Sequence, residues 1–285
     1  MFIVVCYHLI VKNSGEKTMT YDGIVEISNE DYHSSDGFSK SALMTLKHSR
    51  TQFYKDYILG QREHNESDDM LLGSLTHALI LEPDTVKQQY YVYKHISRST
   101  KDGKAQALEL ESAQKDGLTL VKQDIYEQAI LMSDAILTNP IAKNIIDSAQ
   151  KEQSIYWTDE ETGLLFKSRP DLLGSNISGD IKTCKSIGNY GFSKSCLDYG
   201  YFLQAAMCKI ALESVGQSFE RFVFICAAKN EPYDVVNYVL DEQAIEYGIN
   251  QFKHLSGMLR HELELNDWLR PVVETLTVPK WAEWN

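Results

Sequence analysis

The spacing of apolar residues changes character near residue 150, and that change constrains the fold more than any bulk property of the chain. Upstream the spacing is helical. GFSKSALMTLKHSRTQFYKDYIL (37–59) opens with serines suited to an N-cap and predicts one helix. DDMLLGSLTHALILEP (68–83) predicts a second, capped by Asp and stopped before Pro83. QYYVYK (89–94) suggests a short strand, and GKAQALELESAQKDG (103–117) a polar, exposed helix. KQDIYEQAILMSDAILTNP (122–140) reads as an amphipathic helix ending at Pro140, with a short helix following to about Ser148. Beyond that point strands take over. SIYWTDEETGLLFKSRPDLLG (154–174) predicts a hairpin turning at DEETG, and ISGDIKTCKS (177–186) the next strand. A helix (199–216), the buried strand FERFVFICAAKN (219–230) and its hairpin partner YDVVNYVLD (233–241) come next. A long helix from about Glu242 to Leu265 and an irregular, Trp-bearing tail complete the chain. Helices, then strands, then helices predict an α/β domain with a central mixed β-sheet flanked by helices. With no repeat or Pro/Gly-rich linker, residues 21–285 are expected to form a single domain, with 1–20 as an N-terminal extension. The apolar start MFIVVCYHLIV is too short to span a bilayer and lacks a basic n-region, so no membrane role is expected.

Polar residues then appear where strands and helices do not need them. Asp180 and Lys182 lie two apart in a predicted strand, so both point to one face while Ile181 points into a core. A surface ion pair would explain them, and so would a metal-binding carboxylate beside a lysine that handles water. Asp171 follows Pro170, which withdraws a ladder donor and loosens pairing there; a simple turn residue is the alternative. His77 sits in an apolar helix one turn after Gly73, a residue that allows close approach; a hydrogen-bonded core histidine is the alternative. Gln204 lies near the start of the helix that follows the Asp–Lys strand.

The formal net charge of −12 argues against nucleic-acid binding through the average field. The distribution matters more. Lys40, Lys47, Arg50 and Lys55 occur with no acid between residues 40 and 55, and from Leu164 to Cys196 Lys167, Arg169, Lys182, Lys185 and Lys194 stand against only Asp171 and Asp180. Two locally basic segments on an acidic body could line a groove. The five cysteines show no CxxC spacing, which disfavours a zinc knuckle or iron–sulfur cluster and fits a reducing cytoplasm.

In order along the chain, Gly73-x-x-x-His77, GLLFKSRPD ending at Asp171, Asp180-Ile181-Lys182-Thr183 and a helix bearing Gln204 match one pattern. The chain resembles the PD-(D/E)xK nuclease superfamily from about Tyr21 onward, and within it the exonuclease VIII (RecE) nuclease domains; the ending LTVPKWAEW is similar too. Cys208 stands where the family's Q-x-x-x-Y motif has tyrosine, and reads as a small buried hydrophobe. The resemblance implies a Mg²⁺-dependent (or Mn²⁺-dependent) deoxyribonuclease with Asp171, Asp180, Lys182 and Gln204 as catalytic residues. It implies metal held by Asp171, Asp180, the Ile181 carbonyl and His77, with Glu152 as a further acid. Lys182 is then expected to orient or deprotonate the nucleophilic water. The resemblance further implies 5′→3′ digestion of linear duplex DNA, 3′ tails passed to a single-strand annealing protein, and a homo-oligomeric ring of three or four copies. An endonuclease and an inactive DNA-end-binding recombination partner are the alternatives. The expected phosphate-binding residues are Lys40, Lys47, Arg50, Lys167, Arg169 and Lys185.

Overall fold

A computed structural model describes residues 21–63, 67–94, 96–97, 99–271, 273 and 275–278. The extension 1–20 and the last residues of LTVPKWAEW lie outside the described residues. Strand β1 (Gly23–Val25) leads into helices α1 (Asn29–Ser34), α2 (Lys40–His48) and α3 (Arg50–Phe53), the last continued by a π-helical turn (Tyr54–Ile58). Then follow α4 (Asp68–Leu81), α5 (Val86–Gln89), β2 (Tyr90–Tyr93), α6 (Lys101–Lys115), β3 (Thr119–Lys122), α7 (Gln123–Thr138) and α8 (Pro140–Ser148). The strand-rich half holds β4 (Gln150–Lys151), β5 (Ser154–Thr158), β6 (Leu165–Ser168), β7 (Leu172–Leu173) and β8 (Ile177–Cys184). It closes with α9 (Asn189–Asp198), α10 (Tyr201–Ser214), β9 (Arg221–Ala228), β10 (Val235–Val239) and α11 (Glu242–Leu265).

The expected mixed sheet is present as five strands in the order β10-β9-β8-β7-β4, in which only β8 and β9 run parallel. The hairpin β5–β6 does not join it. Those strands form a separate antiparallel sheet with β1, and β2 pairs in parallel with β3. Pro170 lies where the two sheets part, because Arg169 and Pro170 belong to neither strand and the chain turns from β6 into β7 there.

Both faces of the five-stranded sheet are covered, and β9 shows why its sequence lacks polar alternation. Phe222, Phe224 and Cys226 enter one core with α2, α10 and α11, whereas Val223, Ile225 and Ala227 enter another with α4, α7 and α8. Ile181 is fully buried in the second core, as the strand alternation predicted. Burying such a side chain contributes about 1.5–3 kcal/mol and fixes the register of its polar neighbours. Two glycines permit the close packing. A Cβ at Gly179 would lie 2.7 Å from Val223 Cγ1, and one at Gly248 would collide with the Phe202 carbonyl where α11 crosses α10.

Helices α1, α5 and α9 lie where none was expected, and two expected helices begin or break differently. The predicted helix over 37–59 breaks at Ser49, whose extended backbone ends α2 while its side chain caps α3 by accepting from Gln52 N. Helix α4 is capped by Ser67, which accepts from Met70 N; Asp68 and Asp69 occupy its first turn instead. None of the described helices is long and apolar enough to cross a membrane.

Candidate active site

Four elements bring acidic and basic side chains to one spot. Strand β8 carries Asp180 and Lys182 on the face beneath α10, and both are largely buried. The Lys182 ammonium pairs with Asp180 Oδ2, and Gln204 Nε2 on α10 donates to Asp180 Oδ1 at 2.6 Å. Asp171, held between β6 and β7, accepts from Ile181 N at 2.7 Å, so its carboxylate is pinned to the backbone between Asp180 and Lys182. From the opposite face, His77 of α4 places Nε2 2.6 Å from the Ile181 carbonyl and Nδ1 3.3 Å from Asp171 Oδ2. The closest neighbour that a Cβ at Gly73 would meet is Thr183 Oγ1 at 3.3 Å, so the absent side chain lets α4 and His77 approach β8. Glu152 has a left-handed backbone (φ 55°), and its N–H donates to the Asp171 carbonyl at 3.1 Å. A non-glycine residue in that region stores strain, here in the turn that delivers a carboxylate to the site.

Burial and mutual repulsion set the electrostatics. Asp171 is raised well above the usual carboxylate range, first by burial and then by Asp180. Burial lifts Glu152 to about 7, with Asp171 adding to the rise and Arg169 opposing it. His77 is pushed down, mainly by burial. Burial alone would lower Lys182, but Asp180 and Asp171 outweigh it and hold the ammonium charged. A neutral His77 that donates from Nε2 keeps an unshared pair on Nδ1 beside Asp171. The side chains alone form no cluster of three or more His, Cys, Asp or Glu donors among the described residues. Asp171, Asp180, the Ile181 carbonyl and His77 offer hard oxygen and nitrogen donors, and a divalent cation would relieve the repulsion between the two buried acids. The Gln204 Oε1 atom is buried without a hydrogen-bond partner.

A family model described as "PDDEXK-like domain of unknown function (DUF3799)" matches residues 39–266. The chain belongs to this PDDEXK-like family. Its architecture is that of the PD-(D/E)xK nuclease superfamily. A solved structure from Eubacterium rectale, described as "Putative exonuclease", superposes with a TM-score of 0.58 at 15% identity, covering 89% of this chain and 97% of that one. At that identity the likeness is one of fold. A second solved structure, SSO0001, gives a TM-score of only 0.29 at 12% identity over 77% of this chain and 85% of that one, and carries no weight. No curated protein sequence matches the chain.

The acids of the PDDEXK-like domain open into a cavity of about 300 Å³ whose walls include Lys40, Glu152, Lys167, Arg169, Asp171, Asp180, Lys182 and Gln204. Of the six expected phosphate-binding residues, Lys40 alone combines a place on that wall with closeness to Lys182: both ammonium groups lie over the Tyr201 ring, 5.7 and 4.9 Å from its centroid. The others are placed differently. Lys167 is buried and donates to the carbonyls of Tyr32 (2.6 Å) and Ser35 (2.8 Å). Arg169 reaches Glu152 Oε2 at 2.8 Å and the carbonyls of Ile27 and Ser28. Arg50 donates to the carbonyls of Trp268 and Arg270, and Lys185 pairs with Asp69. Lys47 is exposed on α2, across the Ser49 break from Arg50, so the two do not share a helix face. Cys208 is buried, as expected of a small apolar side chain. Sequence reasoning missed Tyr201. It stands one helical turn before Gln204 on α10, and that i, i+3 spacing was the available signal.

Proposed function

We propose that this protein is a metal-dependent DNA exonuclease that hydrolyses phosphodiester bonds of linear duplex DNA. The observation that carries the reading is the convergence of two buried carboxylates, a charged lysine and a glutamine on one open cavity. Hydrolysis of a phosphodiester needs compensation of phosphoryl charge, an activated water and help for the departing alkoxide. A Mg²⁺ or Mn²⁺ ion held by Asp171, Asp180, the Ile181 carbonyl and His77, with Glu152 near, would supply charge compensation and acidify a water. The protein's own groups do the positioning. Gln204 clamps Asp180 Oδ1 and Ile181 N clamps Asp171 Oδ2, so neither acid needs to reorganise during turnover. Lys182, held against Asp180, would orient the attacking water and neutralise charge developing on the phosphoryl group.

End-wise action is supported by the exonuclease description of the Eubacterium rectale protein and by the likeness to exonuclease VIII domains. On that likeness digestion runs 5′→3′, leaves 3′ tails for an annealing partner and takes place in a ring of three or four copies in the cytoplasm. A ring with its few free basic groups turned inward would reconcile DNA binding with the net charge of −12. The test uses linear duplex labelled separately at the 5′ and 3′ ends, beside a closed circle. Early loss of the 5′ label with an intact circle is the expected result; cutting of the circle would establish an endonuclease instead.

A further inference from the structure

A second cavity, of about 380 Å³, adjoins the first and shares Lys40 and Ser41 with it. Its remaining walls include His48, Gln52, Asp198 and Tyr199. Tyr199 sits in the link between α9 and α10 and is 61% exposed, too open for a core aromatic. It is nevertheless held in place. Its carbonyl accepts from Lys40 Nζ at 3.2 Å, and its ring lies against Tyr201 with centroids 5.8 Å apart. Tyr201 in turn lies beneath both Lys40 and Lys182. The one acid on this wall, Asp198, is paired with Lys194 at 2.5 Å. A continuous path therefore runs from Asp180 through Lys182, Tyr201 and Lys40 to an exposed aromatic face.

We propose that the cavity between Lys40 and Tyr199 is a subsite for an unpaired nucleotide, whose base stacks on Tyr199 while Lys40 holds an adjoining phosphate. Bases inside a duplex are covered by their neighbours, so an exposed aromatic face beside a lysine takes a base that has left the stack. Stacking reads no sequence, which suits an enzyme that must accept every base in turn. Lys40 supplies the charge for this subsite, and its nearness to Lys182 concentrates positive potential where the strand enters. The subsite rests on the nuclease reading for its orientation toward the acids, and its test is kept separate from cleavage.

The experiment measures fluorescence anisotropy of a labelled oligodeoxythymidylate with the full chain in EDTA, where metal-dependent cleavage is silent. Tyr199→Ala is expected to weaken binding between about fivefold and a hundredfold, the range for loss of one base–aromatic stack. Tyr199→Phe, which keeps the ring, and Leu197→Ala, an exposed apolar control outside the cavity, are expected to stay within about twofold of wild type. In metal, Tyr199→Ala is expected to raise KM on linear duplex and leave kcat near wild type. Unchanged binding by Tyr199→Ala would overturn the subsite, as would an equal loss in Tyr199→Phe. If the wild type cuts nothing yet oligonucleotide binding still depends on the Tyr199 ring, the subsite stands and the nuclease reading falls.

Discussion

Lys182 and Lys167 show how differently two lysines beside one cavity can be employed. Lys182 has Asp180 on its own strand and the Tyr201 ring beneath it, and its ammonium faces the acids. Lys182→Ala should fold and bind metal like wild type, yet lose about a hundred- to ten-thousandfold in kcat, since its contribution lies in the transition state. Near-normal turnover in single-turnover assays would reduce the pair to a structural ion pair. Asp180→Ala should differ in kind. It removes the partner of both Lys182 and Gln204 and, on the proposed function, a metal donor, so a rise in Tm on adding Mg²⁺ or Ca²⁺ should be seen for wild type and be absent in the variant. Lys167 instead ties α1 and the segment after it to β6 through the Tyr32 and Ser35 carbonyls. Lys167→Ala should therefore lower unfolding free energy by roughly 2–4 kcal/mol, because buried carbonyls lose their donor. Denaturant titration checks this; an unchanged midpoint would contradict the structural role.

At the scale of elements, the break at Ser49 has the largest consequence. It turns Arg50 away from the cavity and onto the carbonyls of Trp268 and Arg270, so α3 clasps the segment that follows α11. Trp268 stacks on Phe53 and Tyr54 in the same place. Arg50→Ala should accelerate proteolysis after Leu265 without altering the salt dependence of DNA binding; a flatter salt slope would return Arg50 to the phosphate-binding set. Much of the architecture was legible in the sequence because long apolar patterns carry it. The hairpins β5–β6 and β9–β10, strand β8 and helix α11 all lie where spacing put them. The Asp–Ile–Lys alternation also told its story correctly at the level of geometry, since Ile181 is buried and its neighbours share a face. What could not be read was pairing. Two-residue strands such as β4 and β7 have no period of their own, and the separation of β5–β6 from β8 depends on a turn at Pro170. Local charge runs likewise do not reveal which basic side chains are buried against backbone carbonyls, as Lys167 is, or turned onto another segment, as Arg50 is.

For the whole molecule, the proposed function raises the question of how a chain of net charge −12 would hold a polyanion. Lys182 and Lys40 are the cations placed together over the Tyr201 ring, and Lys40 is lowered to about 8, by burial first and by Lys182 second. So small a cationic set predicts weak, strongly local phosphate binding rather than attraction by the overall field. Lys40→Gln should lessen the slope of log affinity against log salt by about one, whereas Lys104→Gln on the exposed helix α6 should not change it. The central claim, that the acids and Lys182 hydrolyse DNA with a divalent cation, is tested most directly by nucleotide release from linear duplex. Wild type and Lys182→Ala are compared with Mg²⁺ and with EDTA. Release by wild type in Mg²⁺ alone, with the variant near background in both, is the predicted result. Equal release in EDTA, or by Lys182→Ala in Mg²⁺, would contradict it.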